Sequence, residues 1–430
     1  MLPFNEIFSE GKSVLILGFG KEGHSTYHFL SKHFPGCKTA VADRNTALAD
    51  ENLSVPMYLG DDYLQAVKDY DIVMKSPGIS PEGIPENLKS KITSQTDLFL
   101  QTYGRQTIGV TGTKGKSTTA SLIYHLLKNT GKKAVLMGNI GLPAFDFLGK
   151  IDADDLIVYE LSAHQLEFVH SSPHVAVLVN LFPEHLDHFG TFERYKQAKL
   201  NIFRFRQPGD RAFCGDQLEE QTGVCETTTE AEKVFGHSFR PQELLQRTGL
   251  RGEHNLKNIY LAFHVLHCLG TSLAVLPEAL SGFRTLPHRL EYVGKFGGVD
   301  FYNDSISTVP QSTMAAVKSV DSVDALILGG FDRGLDYSGL VGFLIGTDIK
   351  NIFFLGKAGE RMLKLFNTRK NDKNLYLVND LAAVFQRLQS LQDVSCCLLS
   401  PAAASYDQFH NFEHRGDIFK KLAGEFLREK

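Results

Sequence analysis

From Thr107 to Lys128 the chain reads TIGVTGTKGKSTTASLIYHLLK. The apolar run Thr107–Val110 has the makeup of a buried strand, and Ala120–Lys128 repeats its apolar residues at helical spacing. Between them lies Thr111-Gly112-Thr113-Lys114-Gly115-Lys116-Ser117-Thr118, a glycine-rich turn ending in Gly-Lys-Ser. In a strand–loop–helix of this kind, backbone N–H groups cradle phosphates and a lysine neutralises the β- and γ-oxygens. The hydroxyl that follows reaches Mg2+. Lys116 and Ser117 occupy those two places. The strict pattern GxxxxGK(S/T) calls for glycine at 110, where Val110 stands, so the match falls one residue short. A turn without nucleotide would leave Lys116 at a strand–helix junction with no task, and ATP is the better reading.

Working outward, short apolar runs alternate with amphipathic stretches along the whole chain, which is the pattern of α/β layers. Ser13–Leu17, Thr39–Ala42 and Asp71–Met74 form a first series of strands. Thr107–Val110, Ala134–Met137, Leu156–Glu160 and Val175–Asn180 form a second. Val299–Asn303, Ala325–Leu328, Ile352–Leu355 and Ser395–Leu399 form a third. Each series restarts on its own loop motif. The expected architecture is therefore α/β with three domains: a Rossmann-like domain over 1–103, a central P-loop ATPase-like domain over 104–285, and a C-terminal Rossmann-like domain over 286–430. The polar stretch Gln217–Gln246 predicts irregular structure or small strands.

Composition removes several function classes. Of 430 residues 43% are hydrophobic and 22% charged, and Lys+Arg (45) against Asp+Glu (49) leaves a net charge of −4. That balance announces neither a nucleic-acid nor a membrane partner. Apolar runs such as Val175–Phe182 are strand-sized, too short to span a bilayer. Glu6 and Glu10 precede the first apolar run, unlike a secretory leader, and the six cysteines show no CxxC or disulfide-like spacing. A cytoplasmic protein is expected.

Two further groups of residues carry chemistry. Strand Ser13–Leu17 runs into Gly18-Phe19-Gly20-Lys21-Glu22-Gly23, with Asp43 twenty residues past Gly23 and Ser76-Pro77-Gly78 after the next strand but one. Such a loop suits a diphosphate at a helix N-terminus and an acid on a ribose. The residues leave open a dinucleotide, another nucleoside diphosphate, or a tight turn with no ligand. In the central unit Glu160 and Asn180 close adjacent strands and are followed by Leu161-Ser162-Ala163-His164-Gln165 and Glu184-His185-Leu186-Asp187-His188. Carboxylate and imidazole there suit Mg2+; no HExxH or Cys/His spacing supports zinc.

Taken together, Thr111–Thr118, Glu160-Leu161-Ser162, Asn180–Gly190, Tyr195-Lys196-Gln197-Ala198-Lys199, Gly252-Glu253-His254-Asn255 and Pro287-His288-Arg289 resemble the successive signatures of the Mur ligases, ATP-dependent amide ligases that build the peptidoglycan peptide stem. The closing segment Leu399–Phe409, with Arg415-Gly416-Asp417, is similar to the glutamate-adding branch of that family. The resemblance implies that ATP and two Mg2+ ions drive the joining of D-glutamate to UDP-N-acetylmuramoyl-L-alanine through an acyl phosphate, in a protein acting as a monomer. It implies a UDP-sugar site at Gly18, Gly20, Lys21, Glu22, Gly23, Asp43, Arg44, Ser76, Pro77, Gly78 and Asn139. ATP would meet Gly112, Thr113, Lys114, Gly115, Lys116, Ser117, Thr118, Asn255, Asn258, Arg289 and Asp304. Metal would fall to Ser117, Glu160, His185 and Lys199, the last carbamylated by CO2. Lys116, Lys199 and His185 would carry the catalysis.

The pattern departs in three places. Glu184 stands where aspartate is common. Ile306 and Val309 stand where the glutamate-adding branch carries lysine and asparagine, which removes a charge partner from an anionic substrate. Arg333 replaces a lysine and offers a bidentate fork in compensation; Thr308, Ser405, Tyr406 and Phe412 remain as glutamate contacts. The same reaction with L-glutamate is one alternative. A folylpolyglutamate synthetase-like ligase is the other; it shares the central and C-terminal units but normally has no preceding unit with a glycine loop.

Overall fold

The computed structural model describes residues 2–50, 53–138, 143–215, 218, 225–227, 232–233, 235, 239–248, 250, 253–283, 287–320 and 322–427. The chain divides into two compact units, Met1–Phe283 and Arg284–Lys430. The first contains two sheets and the second contains one.

The sheet nearest the N-terminus holds β1 (Ser13–Leu17), β2 (Lys38–Asp43), β3 (Met57–Leu59), β4 (Ile72–Lys75) and β5 (Ile92–Thr93), all parallel, in the order β3-β2-β1-β4-β5. Val14 to Leu17 are wholly buried, as expected for a central parallel strand covered on both faces. The order reverses at β1, so the loops after β1 and β4 face each other at the carboxyl edge, where open α/β sheets take ligands.

The second sheet holds β6 (Thr107–Thr111), β7 (Ala134–Gly138), β8 (Leu156–Glu160), β9 (Val175–Leu178), β10 (Arg211–Cys214) and β11 (Glu226–Thr227), again all parallel, in the order β11-β10-β9-β6-β8-β7. β6 is thus flanked by β8 and β9. On one face the helices Lys116–Asn129 and Glu253–Cys268 share a core through Leu122, Ile123, Ile259 and Phe263. On the other, Phe99, Tyr159, Leu178 and Ile202 pack together.

In the second unit β12 (Glu291–Phe296), β13 (Val299–Asn303), β14 (Ala325–Gly329), β15 (Asn351–Leu355), β16 (Asn374–Leu377) and β17 (Cys396–Leu399) lie in the order β12-β13-β17-β14-β15-β16. Only β12 runs antiparallel, against β13.

The α/β class and three parallel layers agree with the sequence. Strands β3, β5, β10, β12 and β16 had not been read from it, while β11 is a small strand within Gln217–Gln246, where irregular structure or small strands were expected. β3, β12 and β16 are half-exposed edge strands, and a strand buried on neither face lacks the apolar run that marks the others. β5 and β11 are two residues long.

Candidate active site

The phosphate loop begins where β6 ends. Gly115 closes it at φ +77 as the residue capping the helix Lys116–Asn129, and a Cβ there would lie 3.2 Å from Val179 and 3.3 Å from the Asn258 amide. Left-handed backbone in so tight a place suits only glycine. The turn therefore forms around Gly112 and Gly115, and valine at 110, inside the strand, does not disturb it. Asn180 latches the loop from the end of β9. Its Oδ1 accepts from Lys114 N–H at 2.8 Å, its Nδ2 donates to Lys114 O at 3.0 Å, and its carbonyl accepts from Thr113 N–H at 3.0 Å. Lys114 also pairs with Glu184. Lys116 Nζ donates to Thr113 O at 3.1 Å. Ser117 is buried at the first turn of the helix and Thr118 is half-buried beside it. Asn258, whose amide lies against Gly115, donates to Asn255 Oδ1 at 3.1 Å.

Glu160 closes β8 opposite Val110 of β6 and is only 1% exposed. Lys199, also 1% exposed, projects from the helix Phe192–Arg204 and donates to Gly112 O at 2.7 Å, beneath the loop. Burial first, and then the nearby Lys116 charge, hold the Lys199 amine well below the ordinary lysine range, against the opposing pull of Glu184 and Glu160. Lys199 is thus a desolvated amine on which the Glu184 and Glu160 charges act. His185 caps a short helix, Leu186–Phe189, at φ +55 with its ring half-exposed. Its ring lies 4.9 Å from that of His164, which lies 4.4 Å from that of His188. Burial, then the neighbouring His188 and His185, push His164 down to about 3, so it stands neutral.

In the N-terminal sheet the glycine loop and the Ser76–Gly78 loop meet: Ser76 Oγ donates to Gly18 O at 2.7 Å. A Cβ on Gly23 would fall 2.3 Å from Gly18 O, so the helix Lys21–His33 can approach the loop only with glycine there. Gly20 lies open in the loop, and Pro77 and Gly78 follow Ser76. Asp43 accepts from Phe19 N–H at 2.6 Å and from Asn45 N–H at 2.7 Å; its carboxylate already braces the loop it was expected to accompany. Lys21 is exposed, and Arg44 is exposed in an ion pair with Asp61 at 3.2 Å. Glu22 is partly buried, and loss of solvent pushes its carboxyl up to about 7 despite a hydrogen bond from Gln165 and the charge of Lys75. Asn139 lies outside the described residues.

Lys75 and Glu167 were not singled out by sequence reasoning, whereas His164 and His188 stand in the two segments read as suiting Mg2+. Lys75 Nζ is 3.2 Å from Glu167 Oε2, which is 3.3 Å from His188 Nε2, so one carboxylate joins the end of β4 to the loop after β9. A lysine closing the otherwise apolar run Asp71–Met74 was the available signal.

In the second unit, loops converge at the carboxyl edge of β13, β17 and β14. Asp304 is buried and accepts from Ser400 Oγ at 2.7 Å and Leu290 N–H at 3.2 Å; burial raises it to about 6. Arg289 adds positive charge near it. Arg333 donates to Thr308 O at 2.8 Å. Ser305 Oγ donates to Phe412 O at 2.8 Å. Ser405 is buried, Tyr406 exposed, and Ile306 and Val309 half-buried. Thr308, Arg333, Ser405, Tyr406 and Phe412 therefore all belong to the loops of one sheet edge.

Among the described residues no cluster of three or more His, Cys, Asp or Glu is arranged to hold a metal, and no helix is long and apolar enough to cross a membrane.

A parallel sheet whose central strand ends in a phosphate loop, with a buried carboxylate on the next strand, defines a P-loop nucleotide-binding α/β protein. Residues 110–239 match the Mur ligase middle domain. The chain is 30% identical to the UDP-N-acetylmuramoylalanine--D-glutamate ligase of Clostridium kluyveri over 97% of its own length and 98% of that protein's. It is 33% identical to the ligase of the same name from Acetivibrio thermocellus, over 86% of each chain. In fold it is similar to a MurF ligase from Thermotoga maritima in complex with ADP, with a TM-score of 0.56 at 16% identity over 97% of this chain and 96% of that one. The chain belongs to the Mur ligase family, whose members are ATP-dependent amide ligases.

Proposed function

We propose that this chain joins D-glutamate to UDP-N-acetylmuramoyl-L-alanine, releasing ADP and phosphate, in the cytoplasmic synthesis of peptidoglycan precursors, and that it does so as a monomer. In this reading residues 1–103 hold the UDP-sugar, 104–285 the ATP and 286–430 the glutamate. The observation that carries the reading is the buried Lys199 amine under the phosphate loop with Glu160 on the neighbouring strand, in a chain that aligns end to end with ligases of that name.

The chemistry follows from the electrophile. A carboxylate resists attack, so the alanine carboxylate first takes the γ-phosphoryl group of ATP and becomes an acyl phosphate. The glutamate amine then adds to that carbonyl, and the tetrahedral intermediate collapses with loss of phosphate. A protein helps chiefly by in-line positioning and by placing cations where oxyanion charge develops. Lys116 is the cation of the phosphate loop, Gly112 to Thr118 supply its backbone, and Asn255 and Asn258 brace it on the side proposed for adenine. Arg289 and Asp304 of the second unit are further proposed contacts to ATP.

The hydroxyl of Ser117 and the carboxylate of Glu160 are hard oxygen donors suited to Mg2+, and Ser117, Glu160, His185 and Lys199 would hold two such ions. Bound Mg2+ would neutralise charge on the transferring phosphoryl group. Lys199 fits this set only as an anion. Its depressed basicity supplies a neutral amine, which can add to CO2 with loss of a proton and become a carbamate.

The amino acid is set by the second unit. Ile306 offers no charge to glutamate, while Arg333, fastened to Thr308 O, puts a guanidinium on the same loop edge. The deciding experiment is phosphate release from ATP with Mg2+ and UDP-N-acetylmuramoyl-L-alanine, comparing D- with L-glutamate. Release stimulated by the D form, with a new amide in the product, is expected. Release with the L form alone would change the substrate, and no release with either would overturn the function.

A further inference from the structure

Arg415 is the largest wholly buried side chain of the second unit, 1% exposed at the start of the helix Phe412–Gly424. Its guanidinium spends four hydrogen bonds on two loops. Nε donates to Ser305 Oγ at 2.9 Å and Nη2 to Ser305 O at 2.8 Å, while Nη1 donates to Ala403 O at 3.1 Å and Ala404 O at 3.2 Å. Ser305 Oγ in turn donates to Phe412 O at 2.8 Å. Ala404 O also accepts from Phe331 N–H at 2.9 Å, so the loop bearing Arg333 is tied to the same point.

We propose that Arg415 is the positioning residue for the acceptor amino acid, holding the loops of Thr308, Ser405 and Phe412 in register and leaving beneath them a positive charge that has no ion-pair partner among the described residues. The proposal rests on the reading of this sheet edge as the glutamate site. Two features separate it from ordinary loop packing. First, the partners of Arg415 lie at or next to the candidate contacts: Ala404 precedes Ser405, Ser305 is three residues before Thr308, and Phe412 accepts from Ser305. Second, Arg415 forms no ion pair among the described residues, and Asp407 acts on it through space. Burying a guanidinium without a carboxylate partner is costly, and apolar packing would join two loops with less penalty. The arrangement makes sense where an anion completes it, and glutamate, with two carboxylates, is such an anion. The charge that Ile306 does not supply is thus furnished from below.

The test measures KM for glutamate, ATP and UDP-N-acetylmuramoyl-L-alanine separately in the full chain carrying Arg415→Ala, Arg415→Lys or Ser305→Ala, with thermal unfolding alongside. Arg415→Ala should raise the glutamate KM about tenfold or more, equivalent to about 1.4 kcal/mol, and leave the other two within about twofold. Arg415→Lys should recover part of the loss, as should millimolar guanidinium ion added to Arg415→Ala. Should Arg415→Ala fail to fold, Ser305→Ala decides by the same split of KM values. A common rise in all three KM values, or an unchanged glutamate KM, overturns the proposal. If Arg333→Ala raises the glutamate KM and Arg415→Ala does not, this proposal alone fails. If neither does, or the wild type turns over neither enantiomer, the site reading fails and takes the proposal with it.

Discussion

Glu22 occupies the second position of the helix that follows the glycine loop, where a helix N-terminus ordinarily favours a carboxylate. Burial outweighs that effect and raises its carboxyl from 4.5 to about 7. The folded chain therefore prefers Glu22 protonated more than the unfolded chain does. Stability from this source is intact below pH 4.5, falls as pH climbs from 4.5 to about 7, and is level above. At about 1.4 kcal/mol per pH unit, the loss across that window is about 3 kcal/mol. Glu22→Gln keeps the shape and the hydrogen bonding toward Gln165 but carries no proton to lose. Relative to wild type it should be more stable by about 3 kcal/mol near pH 8 and by less than about 1 kcal/mol near pH 5. Urea unfolding followed by far-ultraviolet circular dichroism at the two pH values measures both differences. If the wild-type and variant midpoints move in parallel between them, or if the variant is the weaker protein near pH 8, desolvation does not govern Glu22 and the burial argument is wrong.

Lys116→Ala should abolish ATP-dependent phosphate release while the melting curve stays close to wild type; near-normal turnover would remove Lys116 from the phosphate site. Lys199→Ala should lose activity and regain part of it with added formate or acetate, since the group removed is proposed to be an anion. Wild-type activity indifferent to bicarbonate depletion would exclude the carbamate. Gly115→Ala places a Cβ 3.2 Å from Val179 at φ +77, which should cost about 1–2 kcal/mol and raise the KM for ATP more than that for the UDP-sugar. Equal KM values in wild type and variant would show that the loop relaxes freely.

What could be read from the chain, and what could not, divides along a physical line. Thr107–Lys128 announces its strand, loop and helix because apolar periodicity and glycine placement are local properties. The three parallel layers follow from repeating that reading. Short or half-exposed strands such as β3 and β16 carry no such signature, because their stability comes from neighbours supplied by distant sequence. The site divides in the same way. The phosphate loop, Glu160 and Asn180 lie at or just past the ends of the adjacent strands β6, β8 and β9, so their proximity is implied once the strand order is known. Lys199 and Arg415 are different. In sequence each is an ordinary basic residue in an amphipathic helix, and nothing local shows that the first loses its solvent beneath Gly112 or that the second is buried with no ion-pair partner among the described residues. Desolvation is set by how elements far apart in the chain pack. A buried basic group is stable only when it loses its charge or something compensates it, and the two sites meet that demand differently. Under the phosphate loop the simplest completion is to convert the amine into an anion that can share a metal. At the edge of the third sheet it is an incoming dicarboxylate. The same argument assigns different proposed fates to two basic residues, chemical modification for one and positioning of the acceptor amino acid for the other. It does so because the lysine can become neutral in its site and the guanidinium cannot.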